Sequence, residues 1–152
     1  MVTAGRAAAA TRSPVRAVTL LFGAVFLLVG VAGFIPGVTS HYGDLGFAGE
    51  GSEAEILGLF QTSVLHNVVH LLFGVFGVAM ARSETAARMY LTAGGSAYLT
   101  LWVYGLIVHG HKGNFIPVDN EGNWLHLGLA LAMLGFGLLL PAGRPARAGA
   151  RR

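Results

Sequence analysis

The sequence has no cysteine and little charge. None of its 152 residues is Cys, and only 11% are Asp, Glu, Lys or Arg. The lack of Cys excludes disulfides, thiolate metal ligands, iron–sulfur clusters and covalent c-type haem attachment. The charged fraction is about half of that in ordinary soluble domains, where roughly a quarter of the residues are charged. Together with 54% hydrophobic residues, it favours a protein whose solvent is the lipid bilayer.

Charge is nearly absent from four long apolar segments. The sequence predicts membrane-spanning helices at residues 15–35, 53–81, 86–108 and 123–140. The predicted fold class is therefore all-α, a four-helix transmembrane bundle that occupies residues 13–141. The basic tails, residues 1–12 and 142–152, are expected to be disordered and cytoplasmic.

The second segment is longer than a bilayer requires. The S-x-x-E pattern of Ser52 to Glu55 predicts a helix start, after a polar loop at residues 38–51. A helix over residues 53–81 would be about 43 Å long, against a hydrocarbon thickness of about 30 Å. Its first turns are expected to tilt or to stand above the membrane.

The charges are separated along the chain. Eight of the ten basic residues lie in the tails or around the turn at residues 82–88, and a ninth, Arg16, lies just after the first tail. Six of the seven acidic residues lie in the other two loops or in the first three residues of the second span. The positive-inside rule then places both termini in the cytoplasm and both acidic loops outside. Topology explains the basic pI, so no nucleic-acid partner is expected.

The two halves of the chain contain similar motifs. Gly33-Phe34-Ile35-Pro36 is similar to Asn114-Phe115-Ile116-Pro117, and Asn67-Val68-Val69-His70-Leu71 is similar to Asn123-Trp124-Leu125-His126-Leu127. Each unit would contain two spans, so the two copies would have the same orientation. The pattern predicts two parallel two-helix repeats, related by an axis along the membrane normal.

Polar side chains interrupt the second and fourth spans. Imidazole and amide groups in a lipid environment need partners inside the protein. At about 100° per residue, the polar positions of the second span share one face, which should point into the bundle. The predicted buried cluster is His66, Asn67 and His70 with Asn123 and His126, and the secondary candidates are Thr62, Ser63, His109 and His111.

This cluster has three interpretations. Asn and His form hydrogen bonds between membrane helices, so a structural network is one. His66 and His70 are four residues apart and could share a metal ion with a third imidazole from His126, His109 or His111, or His70 and His126 could bind a b-type haem. The third interpretation is a path for protons or small solutes. No Ser-His-Asp set, HExxH, P-loop or GxGxxG motif is present, so no catalytic residue is assigned and a non-enzymatic role is favoured.

Three segments of the chain resemble a known bacterial family, the domain-of-unknown-function family 4383. They are LLFGAVFLLVGVAGFIPG, LGLFQTSVLHNVVHLLFGVFGVAMAR and NFIPVDNEGNWLHLGLALAMLGFGLLL, within residues 13–141. The most specific motifs are HNxxHLxFG and NWLHLGLG, although this chain has HLGLALAM in the second. The resemblance implies a four-helix integral membrane protein of the bacterial cytoplasmic membrane. The family has no assigned activity and supplies no catalytic residues.

The sequence thus predicts a small, non-enzymatic membrane protein, most simply an accessory subunit with a buried His/Asn network. Its expected partners are the lipid bilayer and either further copies of itself or a larger membrane complex. The cofactor stays open between none, a b-type haem and a divalent metal.

Overall fold

A computed structural model describes residues 13–49, 51–108, 116 and 119–141. The predicted tails and the candidates His109 and His111 lie outside these residues. The expectation of four helices is confirmed, and their bounds are α1 Pro14–Ala32, α2 Val64–Met80, α3 Glu84–Val108 and α4 Asn120–Leu139. Helices α1, α3 and α4 are long and apolar enough to cross a membrane, and α2 is a shorter apolar helix of 17 residues.

The prediction of a helix over residues 53–81 was wrong for its first eleven residues. Three short strands, β1 Thr39–Ser40, β2 Glu55–Ile56 and β3 Phe60–Gln61, form an antiparallel sheet in the order β1-β2-β3. A 3-10 turn at Tyr42–Asp44 follows β1. The fold therefore carries a small sheet on the bundle, where the sequence predicted a loop and an extended helix.

Side-chain hydrogen bonds explain why the helix begins later. The Ser52 hydroxyl donates to the Thr62 carbonyl at 2.5 Å and accepts the Gly46 N–H at 3.0 Å, so it braces the loop and caps no helix. Leu57 and Gly58 both have positive φ angles, 57° and 65°, and form the tight turn between β2 and β3. Ser63 instead caps α2, because its Oγ accepts the His66 backbone N–H at 3.2 Å.

Two helix pairs form the bundle, α1 against α2 and α3 against α4. A Cβ added at Gly23 of α1 would lie 2.8 Å from the Val78 backbone N, and one at Gly95 of α3 would lie 2.9 Å from the Leu134 backbone N. Glycine at these positions lets the helix backbones approach closely, as in many membrane bundles. Gly74 and Gly77 of α2 both pack against Gly23.

The bundle is apolar on its outside and partly polar inside. Large exposed side chains include Leu21, Leu28, Phe76, Ile107 and Leu139. The buried polar side chains on the helices are Thr19, Asn67, His70, Asn123 and His126. In water-soluble proteins, large exposed apolar patches and buried polar groups are both exceptions. The outer surface is therefore suited to contact with hydrocarbon.

Arginines close the end of the bundle opposite the sheet. The Arg16 guanidinium donates to the Ala81 carbonyl at 2.8 Å, just after α2. Arg88 donates to the Gly137 carbonyl at 2.9 Å and to the Leu140 carbonyl at 2.5 Å, at the end of α4. Carbonyls at a helix C-terminus have no intrahelical partner, so cationic donors there satisfy them and oppose the helix dipole.

Candidate functional site

The first two turns of α2 carry His66, Asn67 and His70 into the bundle. Asn67 is fully buried, and the Thr62 hydroxyl lies 2.6 Å from its Oδ1 as a hydrogen-bond donor. A Cβ at Gly33 would overlap the Asn67 amide, so the end of α1 packs directly on this side chain. Thr62 and Ser63 precede the helix and are not part of its polar face, in contrast to the prediction.

Helix α4 supplies the other half of the site. Its Asn123 and His126 are each only 5% exposed. A Cβ at Gly105 of α3 would overlap the Asn123 amide. Asp119 caps the helix, since its Oδ1 accepts the Gly122 N–H at 2.7 Å. The cap fixes the start of α4 and thereby the direction in which His126 points.

Five aromatic rings from all four helices meet in a closed circuit, which we call the ring cluster: Phe26, His66, His70, Tyr98 and His126. The ring centroids of His66 and His70 are 4.5 Å apart, and those of His66 and His126 are 6.1 Å apart. Phe26 stacks on His70 at 5.6 Å and on Tyr98 at 5.5 Å. Tyr98 closes the circuit with His126 at 5.3 Å. Offset and tilted aromatic contacts at such distances are favourable.

The imidazoles of this cluster have unused hydrogen-bonding atoms. The Nδ1 atoms of His66, His70 and His126 are buried and have no hydrogen-bond partner among the described residues. The same holds for Nδ2 of Asn67 and Oδ1 of Asn123. Buried polar atoms without a partner carry a free-energy cost, so native proteins rarely leave several of them together. The cluster therefore contains hydrogen-bonding atoms that the side chains of the described residues leave unused.

Two cavities reach the histidines from opposite sides of the bundle. The larger, about 190 Å³, lies between α1 and α4, and its walls include Val25, Val29, Leu125 and Leu129. The smaller, about 100 Å³, lies between α2 and α3, and its walls include Val69 and Leu101. His66, His70 and His126 line both cavities. No described residue in either lining is Asp, Glu, Lys or Arg.

The β2–β3 hairpin covers one end of the larger cavity with Ile56, Leu57 and Phe60. The Gln61 backbone N–H donates to Asp119 Oδ2 at 2.9 Å, while the other oxygen of Asp119 caps α4. One carboxylate therefore fastens the hairpin to the helix that carries His126.

The structure brings together the three histidines that the sequence proposed as metal ligands. Within the described ranges, however, no group of three or more His, Cys, Asp or Glu side chains is arranged to hold a metal ion. Sequence reasoning missed Phe26 and Tyr98. Both lie in apolar runs, where no local signal distinguishes a ring that contacts histidine from one that faces lipid.

The fold and the site define a helical protein with three membrane-length helices and a buried cluster of imidazole and amide side chains. The chain belongs to the domain-of-unknown-function family DUF4383, whose family model matches residues 16–139. No curated protein matches the chain. No solved structure matches it either.

Proposed function

We propose that this protein is a non-enzymatic, multi-pass membrane protein that acts as an accessory subunit, with the ring cluster as its buried core. The observation that supports this proposal is the closed circuit of five rings, to which every helix contributes. Neither cavity presents a described carboxylate, lysine or arginine beside the histidines. General acid–base chemistry commonly pairs such groups with histidine, so a structural and binding role fits the cluster better.

The proposal places all four helices across the bacterial cytoplasmic membrane. Helix α2 has 17 residues, which is at the lower limit of what spans a bilayer. The residues that precede its Ser63 cap add to the length of this transmembrane segment. Arg16 and Arg88 lie at one end of the bundle, and Glu53, Glu55 and Asp119 belong to the other. This separation supports the cytoplasmic placement of both termini, because basic residues are enriched on the cytoplasmic side.

The proposal also includes the two-helix repeat. Gly33 packs on Asn67 as Gly105 packs on Asn123. Arg16 binds the Ala81 carbonyl as Arg88 binds the Gly137 carbonyl. One offset of 72 residues relates the two glycines and the two arginines, and one of 56 relates both of their partners. Matching contacts at constant offsets support a common two-helix unit.

A second copy or another membrane helix would bind the small-residue face of α3, defined by Ala93, Ser96, Ala97 and Thr100. All four side chains are exposed and follow one another at helical spacing. Gly94 and Gly95 of the same helix are buried against α4 and serve packing within the bundle. Small residues on a lipid-facing helix surface favour close helix association.

Cross-linking in native membranes and in vesicles of purified protein tests this role. We expect cross-linked species that contain this chain, and we expect Ala97→Leu to weaken them. The matched control is Leu99→Ala, which changes a partly exposed position outside this face. A monomer in both settings that makes no cross-links, or equal effects of the two substitutions, would refute the accessory role.

Ligation of a metal or a haem by His66, His70 and His126 is the second candidate, and the three unpartnered Nδ1 atoms are the observation that favours it. Elemental analysis and an absorption spectrum of gently purified protein test it. A Soret band or stoichiometric metal that is lost in His70→Ala would establish this function in place of a purely structural core.

Conduction of protons or small solutes has less support. Toward the arginine end, Phe73 packs edge-on against both Phe26 and Tyr98, with centroids 5.7 Å apart in each pair. A continuous aqueous path would have to pass these rings. Flux through liposomes that contain the protein, compared with empty liposomes, is the direct test.

A further inference from the structure

We infer that the cavity between α1 and α4 binds the neutral, hydrogen-bonding headgroup of a single-tailed amphiphile, whose tail extends between these helices into the bilayer. This inference deepens the proposed function, since it gives the buried histidines a ligand. The headgroup is a hydroxyl or carbonyl group, because the polar side chains that line the cavity are imidazoles.

The polar end of the cavity defines the headgroup. His70 and His126, which line it, are 91% and 95% buried, and each has an Nδ1 atom without a hydrogen-bond partner in the part of the chain that the structure describes. A neutral imidazole offers one donor and one acceptor nitrogen. A hydroxyl group can satisfy either kind, and a carbonyl satisfies a donor. A hydroxyl or carbonyl group in the cavity would therefore give these imidazoles a further hydrogen-bond partner.

The rest of the cavity lining determines which charge and polarity a ligand can have. Apart from the three histidines, the described lining consists of Gly122 and apolar side chains, among them Phe26, Phe60 and Leu129. An ionised headgroup would find no opposite charge there, and a buried charge without a counter-charge is strongly disfavoured. The lining therefore selects an uncharged ligand.

The size and the position of the opening define the tail. A cavity of about 190 Å³ is smaller than the roughly 300–1,000 Å³ of pockets that enclose whole ligands, so only part of an amphiphile fits inside. Val25 of α1 and Leu125 of α4 are 40% and 45% exposed and belong to its two walls. They face the region where hydrocarbon surrounds the bundle. The β2–β3 hairpin covers the other end of the cavity, so a ligand would enter it from the lipid side, between α1 and α4.

Photolabelling tests this site directly. The full chain is placed in nanodiscs of phosphatidylcholine and exposed to a twelve-carbon alcohol that carries a diazirine in its tail. We expect saturable labelling of α1 and α4 near Val25 and Leu125, competed by excess dodecanol but not by dodecane or laurate. Nitrogen NMR of ¹⁵N-histidine protein should show shifted imidazole signals when dodecanol is added.

A matched pair of variants supplies the control. Val29→Phe fills the larger cavity, and Leu101→Phe fills the smaller cavity on the opposite side. We expect Val29→Phe to reduce saturable labelling about tenfold, because a ligand that can no longer bury two of its methylene groups binds about tenfold more weakly. We expect Leu101→Phe to leave the labelling within about twofold of the unsubstituted protein. Val25→Phe at the half-exposed mouth should act like Val29→Phe and disturbs folding less.

Several outcomes would overturn the inference. They are labelling that does not saturate, competition by laurate but not by dodecanol, and equal losses in Val29→Phe and Leu101→Phe. Imidazole NMR signals that do not shift when dodecanol is added would also overturn the inference and would mean that water alone occupies the cavity. The cross-linking result at Ala97 is independent of all these outcomes, so failure of the ligand site and failure of the accessory role remain distinguishable.

Discussion

Replacement of Gly23 by Ala tests whether the close contact between α1 and α2 holds the bundle together. The new methyl group would lie 2.8 Å from the Val78 backbone N, 3.0 Å from the Gly77 backbone C and 3.1 Å from the Gly74 carbonyl O. All three are backbone atoms, which cannot rotate away as the end of a side chain can. The two helices must therefore separate.

The expected change in the free energy of unfolding of Gly23→Ala follows from two opposing effects. Overpacking of a well-packed contact costs about 1–3 kcal/mol, and Gly to Ala within a helix returns roughly 0.5–1 kcal/mol. The control is Gly128→Ala on α4, where an added Cβ meets nothing within 4 Å, so only the favourable effect remains. The free energies of unfolding of the two variants should thus differ by about 1–3 kcal/mol.

Reversible unfolding in mixed detergent micelles, followed by far-ultraviolet circular dichroism, measures this difference. Gly95→Ala extends the test to the other helix pair, because its Cβ would lie 2.9 Å from the Leu134 backbone N and 3.1 Å from the Ala130 carbonyl O. We expect it to resemble Gly23→Ala. If Gly23→Ala and Gly128→Ala unfold at the same denaturant concentration, the reasoning from close backbone contact is wrong.

Three further predictions concern the ends of the bundle. Asp119→Ala removes a helix cap and the acceptor of the Gln61 N–H, so we expect a loss of about 1 kcal/mol and faster amide exchange in the hairpin by mass spectrometry; unchanged exchange at Gln61 would contradict the fastening role. Leu57→Gly removes a side chain from a backbone with φ of 57°, so it should slow amide exchange in the hairpin by the equivalent of about 1 kcal/mol. Leu59→Gly should accelerate that exchange. Faster exchange in Leu57→Gly than in Leu59→Gly would disprove the strain argument. Arg88→Met leaves two carbonyls at the end of α4 without a donor and should cost about 1–3 kcal/mol in the same unfolding assay, and wild-type stability would show that water replaces the guanidinium.

Local signals predicted most of the helices. The apolar runs gave α1, α3 and α4 within a few residues, since the length of an apolar segment is a property of contiguous sequence. Pro14 occupies the first helical position, where its fixed φ suits a helix start, although the Ser13 hydroxyl makes no capping hydrogen bond within the described residues. The start of α4 was three residues early relative to the prediction, because Asp119 caps it.

The start of α2 was beyond local reasoning. Ser52 and Glu55 match a capping box, and the residues that follow are apolar enough to continue a helix. The outcome depends on distant partners. Ser52 bonds to Thr62 and Gly46, and Gln61 bonds to Asp119, which is 58 residues away in the chain. Within the Leu57-Gly58 turn, the glycine was the one local sign that a helix would not form there. The positive φ of Leu57 could not be predicted, because this conformation is rare for leucine.

The sequence by itself determined that four apolar helices would form and that His66, Asn67, His70, Asn123 and His126 would need partners away from lipid, because hydrocarbon cannot hydrogen-bond to imidazole or amide groups. Tertiary structure decided which partners they have. Only the packing of four helices sets Phe26 between His70 and Tyr98, leaves three imidazole nitrogens without a partner among the described residues and opens a cavity that these histidines line. Those relationships join residues far apart in the chain, and they follow from side-chain shapes that meet only after the helices have associated.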